Sequence, residues 1–341
     1  MLRLGLNYFA REDYYNAMKC LKYIMKEYYE NRMVVSNPEK INRLKVCSIF
    51  SLMSNNHRKQ SNYKKAIDHI EKSFKICQTV FPNENRNLNY CTLFITRGKI
   101  LCDMDQYDKA ASDFYTAQKI YERHLDYGEF CSLRFGLLFK EMGNIELKRN
   151  QFQKALTLYK QSLKSLEKIY PDMVHKSASA TLNDMASLCI KFKKFDLASG
   201  YLDKALELNK KLIKGSESVE ISTNYHTYGN LYMKKGYCDK ALEYYEKARA
   251  IATSCLKGEV NVDVARTSFQ IGMAYKKKGD LGHAKETFKY ALKIFKTVFK
   301  DVEVGGKLIK KCQDQIGKID RMTNRQELNE IIAEQKMLKG L

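Results

Sequence analysis

Seven alanines, Ala17, Ala66, Ala110, Ala155, Ala198, Ala241 and Ala284, recur at intervals of 49, 44, 45, 43, 43 and 43 residues. Each sits in the same surroundings. Twelve residues before it stands a small residue: Gly5, Ser54, Gly98, Gly143, Ala186, Gly229 or Gly272. Four residues after it stands a large apolar one: Leu21, Ile70, Phe114, Tyr159, Leu202, Tyr245 or Phe288. Seven after it, Ser73, Ala117, Ser162, Ala205, Ala248 and Ala291 are small again, with Ile24 in the first copy. A fixed period of this size dictates stacked supersecondary units, each burying its apolar face against the next.

Within one period the apolar spacing is helical. In the sixth copy Tyr225, Tyr228, Gly229 and Tyr232 share a face of a helix over 223–235 that Gly236 ends. A second helix follows over 238–256, with Ala241, Leu242, Tyr245, Ala248 and Ile251 on one stripe. Gly229 and Ala241 are expected where the two helices cross closest, since larger side chains there would overpack the contact. Pro38, Pro82 and Pro171 all fall between copies, where a helical array tolerates them. The early copies are weaker: the chain starts inside the first helix of the first, the second has Ser54 and His57, and the fourth has Glu146 where an aromatic is usual.

The pattern changes after Phe299. Gly305-Gly306 is expected to break the chain, after which Leu308, Ile309, Cys312, Ile316 and Ile319 form one apolar stripe. Thr323 and Gln326 are placed to cap a last helix carrying Leu328, Ile331, Ile332 and Leu338. The expected division is therefore residues 1–299, seven tandem repeats, and 300–341, helices that cap the array or dock another subunit.

The ten cysteines are scattered without a C-x-x-C pair, which reads as reduced thiols used as small hydrophobes in a reducing, cytoplasmic setting. Met1-Leu2-Arg3-Leu4-Gly5 runs straight into the first repeat, so no signal peptide is expected there, and no apolar run approaches the roughly 20 residues of a membrane span. The net charge of +21 favours an acidic partner. Lysines dominate, which suits diffuse attraction more than bidentate phosphate reading. No phosphate loop, zinc motif or nucleophile elbow occurs, and the six histidines are isolated in sequence, so neither an enzyme nor a cofactor or metal site is expected.

The order of small residue, Tyr three later, Gly, then Ala, aromatic and Ala resembles the tetratricopeptide repeat. The 43–45-residue period, Ala180-Thr181-Leu182-Asn183-Asp184-Met185-Ala186 and Val262-Asp263-Val264-Ala265 resemble the kinesin-light-chain type of that repeat. The resemblance implies an all-α, right-handed superhelical solenoid of seven antiparallel helix pairs with C-terminal capping helices. It also implies a partner-binding groove lined by the first helices, at the positions three before and one after the small residue. Carried onto this chain, these give Lys140, Asn144, Asn183, His226, Asn230 and Phe269, whose amides would satisfy the backbone of an extended peptide. The carboxylate clamp of some family members is not completed, because Asn183 and Asp184, then Thr223 and Thr227, follow Lys140 and Asn144. Lys59, Lys148, Lys191, Lys234 and Lys277, seven residues before their alanines, mark a basic stripe.

A non-catalytic scaffold that binds a peptide or helix of another protein is the expected function. Its expected partners carry acidic segments, with tubulin or axonemal proteins of a microtubule-linked or ciliary assembly foremost. The alternatives are an RNA-associated helical-repeat protein using the lysine stripe and a peptide-responsive regulatory repeat protein. Nucleic acid ranks below protein because the tyrosines fall at core positions rather than beside the cations.

Overall fold

A computed structural model describes residues 6–7, 14–30, 38–60, 62–82, 88–123, 129–212, 218–255, 260–299 and 302–339. Among the described residues there are fourteen bounded helices and no strand. They are α1 Tyr14–Glu30, α2 Pro38–Lys59, α3 Tyr63–Val80, α4 Leu88–Asp103, α5 Tyr107–Glu122, α6 Glu129–Lys148 and α7 Phe152–Glu167. Then follow α8 Lys176–Lys191, α9 Phe195–Leu212, α10 Val219–Lys235, α11 Cys238–Cys255, α12 Val262–Lys278, α13 Leu281–Val298 and α14 Val302–Lys339. Every alanine of the ladder lies on the second helix of its pair, from Ala17 on α1 to Ala284 on α13. Gly5 and Tyr8 of the first copy lie outside the described residues. Helix α2 begins at Pro38, where the missing N–H costs nothing.

The turn inside six of the pairs is the same device. The N–H of Asn62, Gln106, Gln151, Lys194, Tyr237 and Asp280 donates to the carbonyl five residues earlier, His57, Leu101, Glu146, Cys189, Tyr232 and Tyr275, at 2.8–3.0 Å. This is the bond of a Schellman motif, and it demands a left-handed residue just before the donor. Asp105, Asn150, Lys193, Gly236 and Gly279 all have positive φ, between 59° and 94°. Asp280 then caps its second helix by accepting from the His283 N–H at 3.1 Å.

By contact the chain divides into two compact units, Met1–Leu188 and Cys189–Leu341, with α8 carrying the division. The boundary expected at 299/300 falls inside the second unit.

Two kinds of crossing hold the pairs together, and both recur in both units. At the first, the small residue faces a ring four residues beyond the alanine rather than the alanine itself. A Cβ on Gly98 would lie 2.4 Å from Phe114, and one on Gly143 would lie 2.6 Å from Tyr159. In the second unit the corresponding distances are 2.4 Å for Gly229 to Tyr245 and 2.8 Å for Gly272 to Phe288. These four rings are fully buried, a burial worth roughly 1.5–3 kcal/mol for each Phe-sized side chain. The second crossing is a buried hydrogen bond across 26 residues. Ser73 Oγ donates to the Cys47 carbonyl at 2.9 Å and Ser162 Oγ to the Gly136 carbonyl at 2.6 Å. Ser222 Oγ donates to the Ala248 carbonyl at 2.7 Å in the second unit. The small residues seven after the alanine are therefore half of a contact whose other half lies nineteen before it.

The C-terminal segment corrects the expectation of two capping helices. Residues 302–339 form a single helix of 38 residues, and Gly305-Gly306 lies inside it. Thr323 does not cap a new helix; its hydroxyl donates to the Ile319 carbonyl one turn back at 3.1 Å. Ile309 and Cys312 pack with Ala291, Ile294, Phe295 and Phe299, while Ile319 packs with Ala284 and Phe288. Lys285 pairs with Asp320 at 2.6 Å. The side chains of Leu328, Ile331, Ile332 and Leu338 lie outside the described residues.

The nine cysteines whose side chains are described are free thiols. Among the described residues no helix is long and apolar enough to cross a membrane, and no group of three metal-ligating side chains is present.

Candidate partner-binding faces

On the first unit the expected positions of α6 and α8 open onto a charged cluster. Lys99 on α4 pairs with Glu141 at 2.9 Å, and Lys140 Nζ lies 3.9 Å from the same oxygen. Tyr159 donates its hydroxyl proton to Asn144 Oδ1 at 2.7 Å, and Asn144 Nδ2 reaches Glu141 Oε2 at 3.5 Å. Burial would raise the Glu141 carboxyl, but Lys99 and Lys140 outweigh it and hold it at about 2. Asp184, on α8, goes the other way. Burial pushes it up to about 6, against the pull of Lys140 and with the push of Glu141. Lys140 is raised despite its own burial, because Glu141 and Asp184 face it. Asn183 is only 7% exposed, and its Oδ1 has no hydrogen-bond partner. A buried acceptor left unmatched costs about 1–3 kcal/mol, so an N–H delivered there gains by that margin.

On the second unit the same positions are neutral. Tyr245 donates to Asn230 Oδ1 at 2.7 Å, the counterpart of the Tyr159–Asn144 bond. His226 Nδ1 lies 3.0 Å from Thr267 Oγ1, and its ring tilts against Tyr245 at 5.4 Å. Burial pushes the His226 imidazole down to about 4, with Asp263 opposing and Arg266 reinforcing, so it is neutral at physiological pH. Phe269 packs on Phe288 at 5.2 Å. A cleft of about 220 Å³ lies among His226, Phe269, Phe295 and Leu308, with Arg266 and Lys311 at its edge. The last helix thus supplies two of the side chains that shape this cleft.

The expected amides are consequently less free than the sequence implies. The carbonyl oxygens of Asn144 and Asn230 are both taken by tyrosines of the second helix, leaving mainly their N–H₂ groups for a partner. A signal for this lies in the chain itself: Tyr159 and Tyr245 pair with asparagines fifteen residues earlier, whereas Phe114 and Phe288 pair with Lys99 and Met273. Another correction concerns the histidines. His57 and His69 are not isolated but stack at 5.2 Å with planes 2° apart. Burial, then His69, lowers His57 to about 4.

Lys59, Lys148, Lys191, Lys234 and Lys277 are all exposed and all stand in the last turn of a first helix. The placement also suits the negative end of the helix dipole. Lys277 is partly committed, because its Nζ donates to the Met233 carbonyl at 2.9 Å.

A family model described as Tetratricopeptide repeat matches residues 176–254 and 220–297. A search of curated proteins finds no match. Among solved structures, a Rap protein complexed with Competence and Sporulation Factor is similar over 98% of this chain and 90% of its own, at 15% identity and a TM-score of 0.58. A tetratricopeptide repeat protein from Parabacteroides merdae is similar over 92% of this chain and 97% of its own, at 14% identity and a TM-score of 0.52. A putative kinesin light chain with TPR-like repeats from Podosopora anserina covers 64% of this chain and 99% of its own, at 17% identity and a TM-score of 0.46. The first two likenesses show the fold, an array of paired helices. Residues 176–297 match the tetratricopeptide repeat, and the other described helix pairs of the chain follow the same plan.

Proposed function

We propose that this protein is a non-catalytic scaffold whose first helices take up a segment of a partner protein. The observation that carries the reading is the cleft beside His226 and Phe269, apolar within and cationic at Arg266 and Lys311. It suits an apolar side chain flanked by carboxylates. Asn183 Oδ1, buried and unmatched, offers an acceptor to a backbone N–H of an extended segment. Lys140, Asn144 and Asn230 add donors on the same repeat positions. The lysines at 59, 148, 191, 234 and 277 and the net charge of +21 favour a partner with acidic stretches.

The cellular setting we propose is a cytoplasmic, cytoskeletal assembly, microtubule-linked or ciliary, with the acidic tails of tubulin or an axonemal protein as the partner segment. The kinesin-light-chain-like motifs at 180–186 and 262–265 motivate it. Cosedimentation of the full chain with microtubules tests it, using intact microtubules and microtubules stripped of their acidic tails. Binding should require the tails and fall about tenfold in the Arg266→Glu variant, as expected when an exposed charge at the contact is reversed. Equal recovery with and without tails, or none with either, rejects the tubulin assignment. Retained binding by Arg266→Glu rejects the cleft.

A further inference from the structure

A second surface lies away from the first-helix positions, on the turn edge of the second unit. The turn between α8 and α9 and the turn between α10 and α11 frame an open recess of about 580 Å³. Lys193, Lys194, Lys234 and Lys235 line it, with Asp196 as its only carboxylate. Its apolar part is exposed: Leu197 is 52% exposed and Tyr237 is 60% exposed. Among the described residues no salt bridge joins Lys193, Lys234 or Lys235 to a carboxylate.

Lys193 adds an independent observation. It occupies the left-handed turn position at φ 59°, where the two following repeats have Gly236 and Gly279. A long β-carbon-bearing side chain there carries a local penalty that glycine removes. The lysine stands against that penalty at the rim of the recess.

We propose that this recess binds an acidic, extended segment of a partner protein, seating one apolar side chain against Leu197 and Tyr237 and its carboxylates among Lys193, Lys234 and Lys235. Charge complementarity selects an acidic ligand, and the aromatic faces decide between protein and nucleic acid. Lys240 Nζ lies over the Tyr237 ring at 5.9 Å, and Lys235 Nζ over the Phe195 ring at 5.9 Å. A cation already lies over one face of each ring, which leaves less of it for a stacked base. The lysines are point charges without the fork that reads phosphate bidentately. The recess shares Lys234 with the basic row and nothing with the groove positions.

The test is fluorescence anisotropy on the full chain with a fluorescein-labelled synthetic peptide of glutamates flanking a single leucine. The same peptide with asparagine for leucine and an oligouridylate of equal charge serve as comparators. The leucine peptide should bind most tightly, weakening with salt, and about tenfold more tightly than the asparagine version. Lys193→Gly removes a charge while easing the turn, so lost binding cannot be lost folding. Combined with Lys235→Glu it should weaken the peptide about tenfold or more. No peptide binding, binding indifferent to the double variant, or tighter binding of the oligouridylate each overturns the proposal. The first-helix cleft takes a segment of the same chemistry, so the measurement is repeated in the Arg266→Glu background, where the loss caused by the double variant should persist. If Arg266→Glu alone abolishes binding, the peptide sits in the first-helix cleft, and the recess fails while the groove reading stands.

Discussion

The Asn144–Tyr159 and Asn230–Tyr245 sites are the same construction in two different settings. Each places an asparagine one residue after the crossing glycine, and each takes a tyrosine hydroxyl at 2.7 Å. Around the first stand Lys99, Lys140, Glu141 and Asp184; around the second stand His226, Thr267 and Phe269. The scaffold fixes backbone, glycine, ring and amide, then leaves the neighbouring positions to chemistry. One unit thereby offers a salt-laced surface, and the other a partly apolar cleft with Arg266 and Lys311 in its lining.

If the scaffold is shared, injury to it must cost the same in both places. Gly143→Val and Gly229→Val each drive side-chain carbons into a ring that already lies 2.4–2.6 Å from a single added Cβ. Each should lose about 3 kcal/mol, the upper end of ordinary overpacking, read as lost hydrogen-exchange protection in α6–α7 and α10–α11. A large inequality would break the comparison.

Acidity should separate the two regions. Asp184 is raised from 3.8 to about 6, so its stabilising contribution is full below pH 3.8 and is lost as pH rises through 6. His226 is lowered from 6.5 to about 4, so its contribution is full above pH 6.5 and is lost as pH falls through 4. Between pH 4 and 6 the slopes oppose, each worth on the order of 3 kcal/mol across its window. Protection in α6 and α8, corrected for intrinsic exchange, should weaken toward neutrality in a way that Asp184→Asn abolishes. In α10 and α12 it should weaken toward acid in a way that His226→Phe abolishes. Slopes of one sign in both regions would contradict the assignment.

The smallest effect concerns the shared bond. Tyr159→Phe and Tyr245→Phe each remove a donor from an asparagine carbonyl and should cost about 1 kcal/mol in urea denaturation. Unequal losses would show that Glu141, within reach of Asn144, has coupled to the first bond.

Much of this was legible from residues alone. The ladder located every second helix, and Gly236 read as a helix end, because a period repeated with so little drift leaves one register. The partner of the crossing glycine was misplaced, since side-chain direction along a helix carries it to a ring one turn beyond the alanine. The last helix was divided in two because Gly305-Gly306 reads as a break, yet packing against α13 holds the chain helical through it. At the candidate sites Lys140, Asn144, His226, Asn230 and Phe269 lie on the first helices as expected. Their electrostatics were not legible. The fates of Glu141, Asp184 and His226 depend on neighbours some forty residues away on adjacent helices. Lys193 carried no local sign of its left-handed turn beyond its alignment with two glycines.

The six Schellman turns bear on how such a chain can change its length. Between small residue and alanine the count never varies, because each turn is closed by one hydrogen bond of fixed reach. Every extra residue of the intervals 49, 44 and 45 therefore falls between an alanine and the next small residue, on the approach to a first helix. Each period has one rigid joint and one adjustable joint. Inserted sequence has a home at the adjustable joint, whereas a single residue added to the rigid one would rotate a whole second helix off its ring.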